Sequence, residues 1–263
     1  MVITTKDIPY KLGQTIKLKV ISDVHYGNTY CDLAAFKEYL GDPKDNTLFI
    51  GIGDLFDSIL PSDPRYVKHG DSIKATDVLD IAVSDMTKML FPYRDRIIGM
   101  GRGNHESELL KRHGTNLTKR LSENLGCTDL GYSGLYKLNF SENGGRGRTL
   151  IIRYHHGWGG GSRTQGGDLT KFSKDMAYWV ADLFLYGHVH RKITDTVDRL
   201  GLAGRKLISR PKFMCICGTF LKTYSPNTDS TYSEEKGYPP VSIGGLTVNI
   251  KPDSNWLTMS ADV

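Results

Sequence analysis

The sequence predicts an α/β protein, and three observations support this prediction. Five short apolar segments each end at a cluster of Gly, Asp, Asn or His residues. Segments with helical apolar periodicity lie between them. The composition is that of a globular chain, with 39% hydrophobic and 24% charged residues. The 263 residues are enough for one sizeable α/β domain.

Each apolar segment is short and stops at polar residues, which is typical of strands that end at the edge of a sheet. The predicted strands span residues 16–21, 47–52, 97–100, 149–154 and 183–186. The polar residues that follow them are Asp23, Asp54, Asn104, His155 and His188. In open α/β sheets, ligands collect outside the carboxyl ends of the strands, so we expect these residues to converge on one site.

Helical periodicity accounts for much of the chain between the strands. The predicted helices span residues 33–40, 75–90, 106–125 and 168–180. The last third of the chain is mostly β, with strands predicted at residues 193–208, 212–216 and 246–250. Since no linker-like segment or internal repeat divides the chain, we predict a single domain over residues 1–263.

The net charge and the spacing of the cysteines limit the classes of function. The net charge is +5 and the pI is near 8.9, which favours anionic partners but fits nucleic acid and small substrates equally well. The four cysteines form no CxxC pair, and no stretch approaches the roughly 20 apolar residues of a membrane span. Charged residues interrupt the start of the chain, so no signal peptide is expected. We therefore expect a cytoplasmic protein with reduced thiols, no membrane association and no obligate protein partner.

Histidine is concentrated at the predicted strand ends. Six of the eight histidines lie within five residues after the end of a predicted strand. In Asp23-x-His25 and in His188-x-His190, alternate residues of an extended segment share one face. Carboxylate and imidazole together suit a divalent ion of intermediate hardness, so both pairs are candidate metal ligands.

Two further strand ends offer oxygen ligands. The carboxylate of Asp54 could bridge two ions, which lie about 3.5–4 Å apart in two-metal sites. The side-chain carbonyl of Asn104 is a reasonable ligand for the second ion. Each residue also fits an ordinary turn, because Gly-Asp and Gly-Asn are common turn pairs. At the fourth strand end, the residues alone leave open whether His155 or His156 is the ligand.

The combination of these blocks is more specific than any one of them. In order, the chain contains SDVHYG, GDLFD, GRGNHE, HHG and GHVH. This series resembles the calcineurin-like metallophosphoesterase superfamily, whose pattern is DxH, GD, GNH(D/E), H and GHxH. The resemblance spans residues 22–190. It implies a sandwich of two β-sheets flanked by helices, and hydrolysis of phosphoesters by a hydroxide that bridges two metal ions.

The resemblance also implies a role for each matching residue. The implied metal ligands are Asp23, His25 and His190 for one ion, Asn104, His156 and His188 for the other, and Asp54 between both. His156 is preferred over His155 because the family's ligand usually stands directly before Gly. The implied ions are divalent, with manganese preferred and iron, zinc and nickel as alternatives.

Two catalytic residues follow from the same resemblance. His105 would not bind metal but would lie near the scissile bond, where it would donate a proton to the leaving oxygen or stabilise charge on the phosphoryl group. Asp57 matches the carboxylate of the family's GDxxD block, which orients that histidine in related phosphatases.

The blocks favour one class of substrate. Serine/threonine phosphoprotein phosphatases of the superfamily carry GDxVDRG, whereas this chain has GDLFDSI without the Arg, although Arg102 before Gly103 matches their third block. The first two blocks look more like those of SbcD-type nucleases and small bacterial and phage phosphodiesterases. We therefore expect a phosphodiesterase, with a DNA nuclease as one form of it. The alternatives are a phosphomonoesterase and a serine/threonine protein phosphatase.

Three residues are candidates for substrate binding. The segment after His156, GWGGGSRTQGGD, could form a mobile flap in which Arg163 contacts phosphate and Trp158 stacks on a base. A flexible connector explains the same glycines equally well. Arg65, which follows the second block, could also face the substrate.

Overall fold

The computed structural model of the chain describes residues 1–11, 13–58, 77–141, 147–226, 228–252 and 256–262. The strands are β1 (Val2–Pro9), β2 (Ile16–Ile21), β3 (Thr47–Ile52), β4 (Ile97–Gly101), β5 (Thr128–Gly131), β6 (Ser133–Ser141), β7 (Arg148–His155), β8 (Leu183–Tyr186), β9 (Lys192–Val197), β10 (Leu200–Ala203), β11 (Lys206–Ser209), β12 (Lys212–Cys217), β13 (Leu246–Pro252) and β14 (Leu257–Asp262). The α-helices are α1 (Leu33–Leu40), α2 (Val78–Leu90), α3 (Asn104–His113), α4 (Leu117–Leu125), α5 (Gln165–Ser173) and α6 (Tyr232–Glu235). Short 3₁₀-helices span Phe91–Arg96 and Asp175–Ala177.

The described strands form two large mixed sheets and one small hairpin. The first sheet has the order β1-β6-β7-β8-β12-β9, the second has the order β14-β13-β2-β3-β4-β5, and β10 pairs with β11. Strands β2 to β5 are parallel, and so are β7, β8 and β12. Parallel strands end at the same edge of a sheet. The polar residues after β2, β3 and β4 therefore share one edge, and those after β7 and β8 share an edge of the other sheet.

An apolar core lies between the two large sheets. In β2, the buried side chains of Leu18 and Val20 alternate with Lys17 and Lys19, so that one face of the strand is apolar. They belong to the same buried cluster as the side chains of β7 and β8 from the other sheet. Burying each large aliphatic side chain contributes about 1.5–3 kcal/mol.

Helices cover the outer faces of both sheets. Phe36 of α1, Met86 of α2 and Leu121 of α4 pack in one cluster with residues of β3 and β4. Phe172 of α5 packs in another cluster with Phe184 of β8. The predicted fold, a sandwich of two sheets flanked by helices, is confirmed. The single-domain organisation stays a prediction.

Two predicted helices differ from those in the structure. The prediction of one continuous helix over residues 106–125 was wrong. Helix α3 ends where Gly114 adopts a left-handed φ of 69° and its N–H donates to the carbonyl of Leu110 at 2.9 Å. The side chain of Asn116 then caps α4 by accepting from the N–H of Lys119 at 3.0 Å. The helix predicted at residues 168–180 begins earlier and ends at Ser173. Residues 75 and 76 of the predicted helix 75–90 lie outside the described residues.

Candidate metal centre

The polar residues after five strands meet where the edges of the two sheets come together. The backbone N–H of His188, which follows β8, donates to both carboxylate oxygens of Asp23, which follows β2, at 3.1 and 3.0 Å. The ring of His156, which follows β7, lies 3.1 Å from the carbonyl oxygen of Ile52 in β3. The expected convergence of the strand ends on one site is therefore observed.

The backbone at this site has an unusual conformation. Six non-glycine residues of the described chain have a left-handed φ between 50° and 72°. Five of the six are predicted ligands, namely Asp23, His25, Asp54, His188 and His190. This conformation costs about 1–3 kcal/mol for a residue with a side chain, and it concentrates at functional sites. Such a concentration at one place marks this site as functional.

Asp23, His25 and His190 form the first group of potential ligands. The Nε2 atoms of His25 and His190 lie 3.2 Å apart, and Oδ1 of Asp23 lies 3.3 Å from Nε2 of His190. One potential ligand atom of each residue lies within 4.8 Å of the others. This geometry could hold one divalent ion.

The second group consists of Asp54, His156 and His188, whose potential ligand atoms also lie within 4.8 Å of one another. Oδ2 of Asp54 lies 3.1 Å from Nε2 of His156, and Oδ1 of Asn104 lies 3.0 Å from the same nitrogen. Oδ2 of Asp54 also lies 4.0 Å from Nε2 of His25, which belongs to the first group. Asp54 is therefore placed between the two groups.

Burial and charge determine the pKa values at the centre. Burial alone would lower the pKa of His156, but the carboxylates of Asp54, Asp23 and Glu106 outweigh it and raise this pKa to about 9. Burial alone would raise the pKa of Asp54, but neighbouring histidines, His156 foremost, hold it well below its usual range. Buried carboxylates require a compensating positive charge, which a proton on His156 or a divalent cation can supply. The carboxylate, imidazole and amide donors fit divalent metal ions of intermediate hardness.

Glycines of the motif blocks allow neighbouring segments of the chain to approach one another closely. A side chain at Gly53, where φ is 119°, would place its Cβ 2.4 Å from the backbone nitrogen of Gly103 and 2.6 Å from Nδ1 of His156. At Gly187, a Cβ would lie 2.2 Å from Oγ of Ser22. Both positions require glycine because of neighbouring atoms at the site itself.

Three residues to which the sequence assigned no role hold the centre in place. Glu106 is fully buried and accepts from the N–H groups of Gly103, Asp54 and Phe56 at 2.7, 3.1 and 3.0 Å. Its position three residues after Gly103 is that of a capping-box glutamate, a signal that could have identified it. Burial, and then the charge of Asp54, raise the pKa of Glu106 to about 6.

The other two are hydroxyl residues that contact Asp23. Ser22 donates to its carboxylate, and Thr219 donates to its backbone carbonyl at 2.8 Å. Thr219 is distant in sequence and belongs to no motif, so no sequence signal could have identified it.

His105 and Asp57 lie beside the first group. Nδ1 of His105 contacts the backbone carbonyl of Asp57 at 2.5 Å and lies 3.6 Å from its Oδ1. The same Oδ1 is closer to Nδ1 of His25, at 3.3 Å. Asp57 therefore contacts both histidines, and His25, Asp57 and His105 together form a third group of potential ligand atoms. The roles of His105 as acid and of Asp57 as its orienting partner stay predictions.

The structure separates His155 from His156. Nδ1 of His155 accepts from the N–H of Gly157 at 2.9 Å, and its ring packs against Tyr132 and Trp158. Burial, followed by the charge of Arg153, lowers the pKa of His155 to about 4. Of the two adjacent histidines, only His156 belongs to a ligand group among the described residues.

The glycine-rich loop, defined here as residues 157–163, is anchored from outside. The buried carboxylate of Asp168 accepts from the N–H of Ser162 at 2.8 Å. Arg191 donates to the carbonyl of Ser162 at 2.6 Å and pairs with Asp168 at 3.2 Å. Lys171 donates to the carbonyl of Gly160 at 2.6 Å. These bonds restrain the loop, and its mobility as a flap or a flexible connector stays a prediction.

The predicted substrate-binding residues occupy different surroundings. The Trp158 ring packs edge-on against the rings of His155, Phe172 and Tyr186, and 38% of the residue is exposed. Arg163 is exposed, and neither residue is among the described residues that line the cleft at the ligand groups. Arg65 lies outside the described residues. A substrate-binding role for these three residues stays a prediction.

The cleft itself has a volume of about 930 Å³, and residues of both ligand groups line it, namely His25 and His190 of the first and Asp54 and His188 of the second. Gly159 to Ser162 of the glycine-rich loop line it, as do the first residues of α2 and residues from the last part of the chain. This volume is near the upper end for small-molecule sites, so the cleft can hold more than a phosphate group.

Fold and site together define a metal-dependent phosphoesterase: two sheets bring carboxylate and imidazole groups together at their strand ends. The chain belongs to the calcineurin-like phosphoesterase family, whose sequence model matches residues 16–192 of the 263. No curated protein matches the chain by sequence.

Solved structures resemble the chain only remotely. They include a single mutant of Vps29 from Entamoeba histolytica (11% identity, 94% of this chain and 98% of that chain, TM-score 0.40). A predicted phosphoesterase from Streptococcus pneumoniae is similar at 12% identity, 95% and 99% coverage, and TM-score 0.38. GAP50, the anchor in the inner membrane complex of Plasmodium, is similar at 11% identity, 94% and 84% coverage, and TM-score 0.43. Similarity at this level carries no information about substrate or partners.

In the part of the chain that the structure describes, no helix is both long and apolar enough to cross a bilayer.

Proposed function

We propose that the protein is a phosphodiesterase that uses two divalent metal ions. The observation that carries the proposal is the pair of adjacent ligand groups, in which Asp54 of the second lies 4.0 Å from His25 of the first and five residues have left-handed conformations. Strained, buried carboxylates and imidazoles are expected where a protein is pre-organised to bind a cation.

In this proposal, Asp23, His25 and His190 hold one ion, while Asn104, His156 and His188 hold the other. Asp54 would supply its carboxylate to both. When bound, the ions supply a nucleophilic oxygen at neutral pH and stabilise negative charge on the phosphoryl group. We propose manganese as the ion, and iron, zinc and nickel also suit this set of carboxylate, amide and imidazole donors.

His105 is the proposed general acid. Its side chain is 12% exposed and lines the cleft, whereas the side chains of His25 and Asp54 are only 3% and 2% exposed. Its Nδ1 contacts the backbone carbonyl of Asp57, which fixes the orientation of the ring at the cleft. The carboxylate of Asp57 lies beside the ring, with Oδ1 3.6 Å from Nδ1 of His105.

Two observations favour a diester over a monoester. In its second block, GDLFDSI, this chain lacks the basic Arg that serine/threonine phosphatases of the superfamily carry in GDxVDRG. The cleft of about 930 Å³ extends well beyond the ligand groups, so it leaves room for organic groups on both sides of a phosphate. A DNA nuclease is one form of this activity, and the basic net charge of +5 is compatible with it.

Chromogenic substrates test the proposal. Manganese-loaded protein is assayed on bis-para-nitrophenyl phosphate and on para-nitrophenyl phosphate, and then on linear single- and double-stranded DNA. We expect a higher kcat/KM on the diester. A higher kcat/KM on the monoester would replace the proposal with a phosphomonoesterase. Diester hydrolysis without DNA cleavage would restrict the substrates to small diesters.

The four cysteines are free thiols, two of them buried, which suits a reducing compartment. We therefore propose a cytoplasmic location. Fractionation of the native host cells tests this location.

A further inference from the structure

One wall of the cleft is formed by a segment that the family match does not include. We call residues 228–241 the tyrosine rim. Tyr232, Glu235 and Tyr238 of the rim line the same cleft as both ligand groups. The family match ends at residue 192, so this wall is a feature of the chain's own C-terminal part.

The rim is tied to the rest of the cleft by specific hydrogen bonds. The hydroxyl of Tyr30, another lining residue, donates to the carbonyl of Asp229 at 2.6 Å. Thr231 is buried, donates to the carbonyl of Thr223, and accepts from the N–H of Glu234 at 3.1 Å. These bonds give the rim a defined position relative to the cleft.

The rim exposes an aromatic ring to the cleft. Tyr232 is 65% exposed, its ring centroid lies 6.3 Å from that of Tyr238, and the Nζ of Lys236 lies 5.7 Å from the centre of its ring. Core packing does not explain an exposed ring that borders a substrate cleft. Such rings provide flat apolar surfaces on which nucleobases stack.

The charges at the rim suit an uncharged group better than a second phosphate. Glu235 contributes a carboxylate to the lining, and a carboxylate repels phosphate but accepts hydrogen bonds from base N–H groups. Of the described lysines, Lys222 of the lining pairs with Asp32 at 3.1 Å, and Nζ of Lys236 lies beside the Tyr232 ring.

We propose that the tyrosine rim binds the nucleobase of a nucleoside phosphodiester, by stacking on Tyr232, while the phosphate lies at the ligand groups. This inference rests on the proposed phosphodiesterase function and names its substrate class. The cleft volume of about 930 Å³ accommodates a base and sugar in addition to the phosphate.

Two diesters with the same leaving group test the proposal. One is the para-nitrophenyl ester of thymidine monophosphate, and the other is methyl para-nitrophenyl phosphate, which has no base. Tyr232→Leu should raise KM for the nucleoside ester about 5- to 140-fold, the range that corresponds to loss of one stacking contact. KM for the methyl ester should stay within about twofold. Tyr232→Phe should behave like the unmutated protein, since it keeps the ring.

Tyr178→Leu is the matched control, because Tyr178 is 81% exposed but is not among the described lining residues. It should change neither KM. Calorimetric binding of thymidine monophosphate gives a second measurement that does not depend on turnover, and Tyr232→Leu should weaken it by a similar factor.

The outcomes separate the two proposals. If the unmutated protein hydrolyses neither diester, the phosphodiesterase proposal fails. The calorimetric comparison of the unmutated protein with Tyr232→Leu then still tests whether the rim binds a nucleobase. The rim proposal is overturned if Tyr232→Leu changes both esters equally or neither, or if it leaves the binding of thymidine monophosphate unchanged. A loss in Tyr232→Phe as large as in Tyr232→Leu would also overturn it, because the ring would then not be the contact.

Discussion

The ligand groups and the glycine-rich loop border the same cleft but are held in position in different ways. At the ligand groups, the residues hold one another: Asp23 accepts from the N–H of His188, and Asp54 accepts from the N–H of His105 at 3.0 Å. The loop is held by side chains from outside it, those of Asp168 and Arg191 above all.

This difference explains why the sequence predicts one region better than the other. At the ligand groups, the predicted ligands are also the residues that fix the backbone, so the motif contains most of the information. In the loop, the glycines indicate conformational freedom of the backbone, whereas the backbone is restrained by an ion pair between two residues outside the loop. Short motifs therefore identify chemistry more reliably than they identify rigidity.

The largest expected effect comes from removing the residue that joins the two groups. Asp54→Asn keeps the shape of the side chain but removes the bridging charge, so we expect loss of measurable activity and of at least one bound ion. Elemental analysis of manganese-loaded protein measures the ions. Asp95→Asn is the control, since the side chain of Asp95 is 91% exposed, and it should retain both ions. Full turnover with two ions in Asp54→Asn would remove the basis of the assignment.

A second variant separates metal binding from catalysis inside the same cluster. His105→Ala should keep near-native metal content but lose roughly 10²–10⁴-fold in kcat, the usual contribution of a general acid. The loss should be smaller for a para-nitrophenolate leaving group than for an alkoxide, because the former needs no proton.

His113→Ala provides the control for this variant, because His113 is an exposed residue of the same helix. It should retain full activity. If His105→Ala instead loses one bound ion, the third group of potential ligands is a metal site and the acid role is wrong.

Much of the fold follows from local patterns. The ends of β2, β3 and β8 coincide with the predicted ones because an apolar run stops at a polar residue in each case. The break between α3 and α4 was not predicted, since Gly114 and Asn116 were outweighed by leucines at helical spacing on both sides.

At the candidate site, too, local sequence patterns predict only part of the structure. The seven predicted ligands lie together, because the spacing of each motif and the parallel strands place them there. Thr219 and the ion pair of Asp168 with Arg191 depend on contacts between distant residues, for which a single sequence contains no signal. Glu106 could have been identified from its capping position.

A smaller effect is expected when the anchor of the loop is weakened. Asp168→Asn removes a buried charge from its pair with Arg191 but keeps an acceptor for Ser162. We expect a loss of about 3 kcal/mol in the free energy of unfolding, the low end for breaking a buried ion pair. Urea unfolding measures this loss, and KM should rise because the loop lines the cleft.

Glu108→Gln is the matched control, since Glu108 pairs with Arg112 at 2.7 Å on the surface. It should change stability little. If Asp168→Asn is equally mild, the loop is held by its own backbone and the contrast between the two regions disappears.

The smallest effect is expected at Arg163, which is exposed and outside the cleft lining. Arg163→Ala should leave kcat/KM for a small diester unchanged. If nucleic acid is a substrate, the variant should bind DNA more weakly and with a shallower salt dependence, because one phosphate contact is lost. A change on the small diester would place Arg163 at the reaction centre instead.

The most direct test of the two-metal centre is anomalous diffraction from crystals soaked in manganese chloride. We expect two peaks about 3.5–4 Å apart, one beside Asp23, His25 and His190 and the other beside Asn104, His156 and His188, with Asp54 between them. A single peak, or peaks away from these residues, would contradict the account.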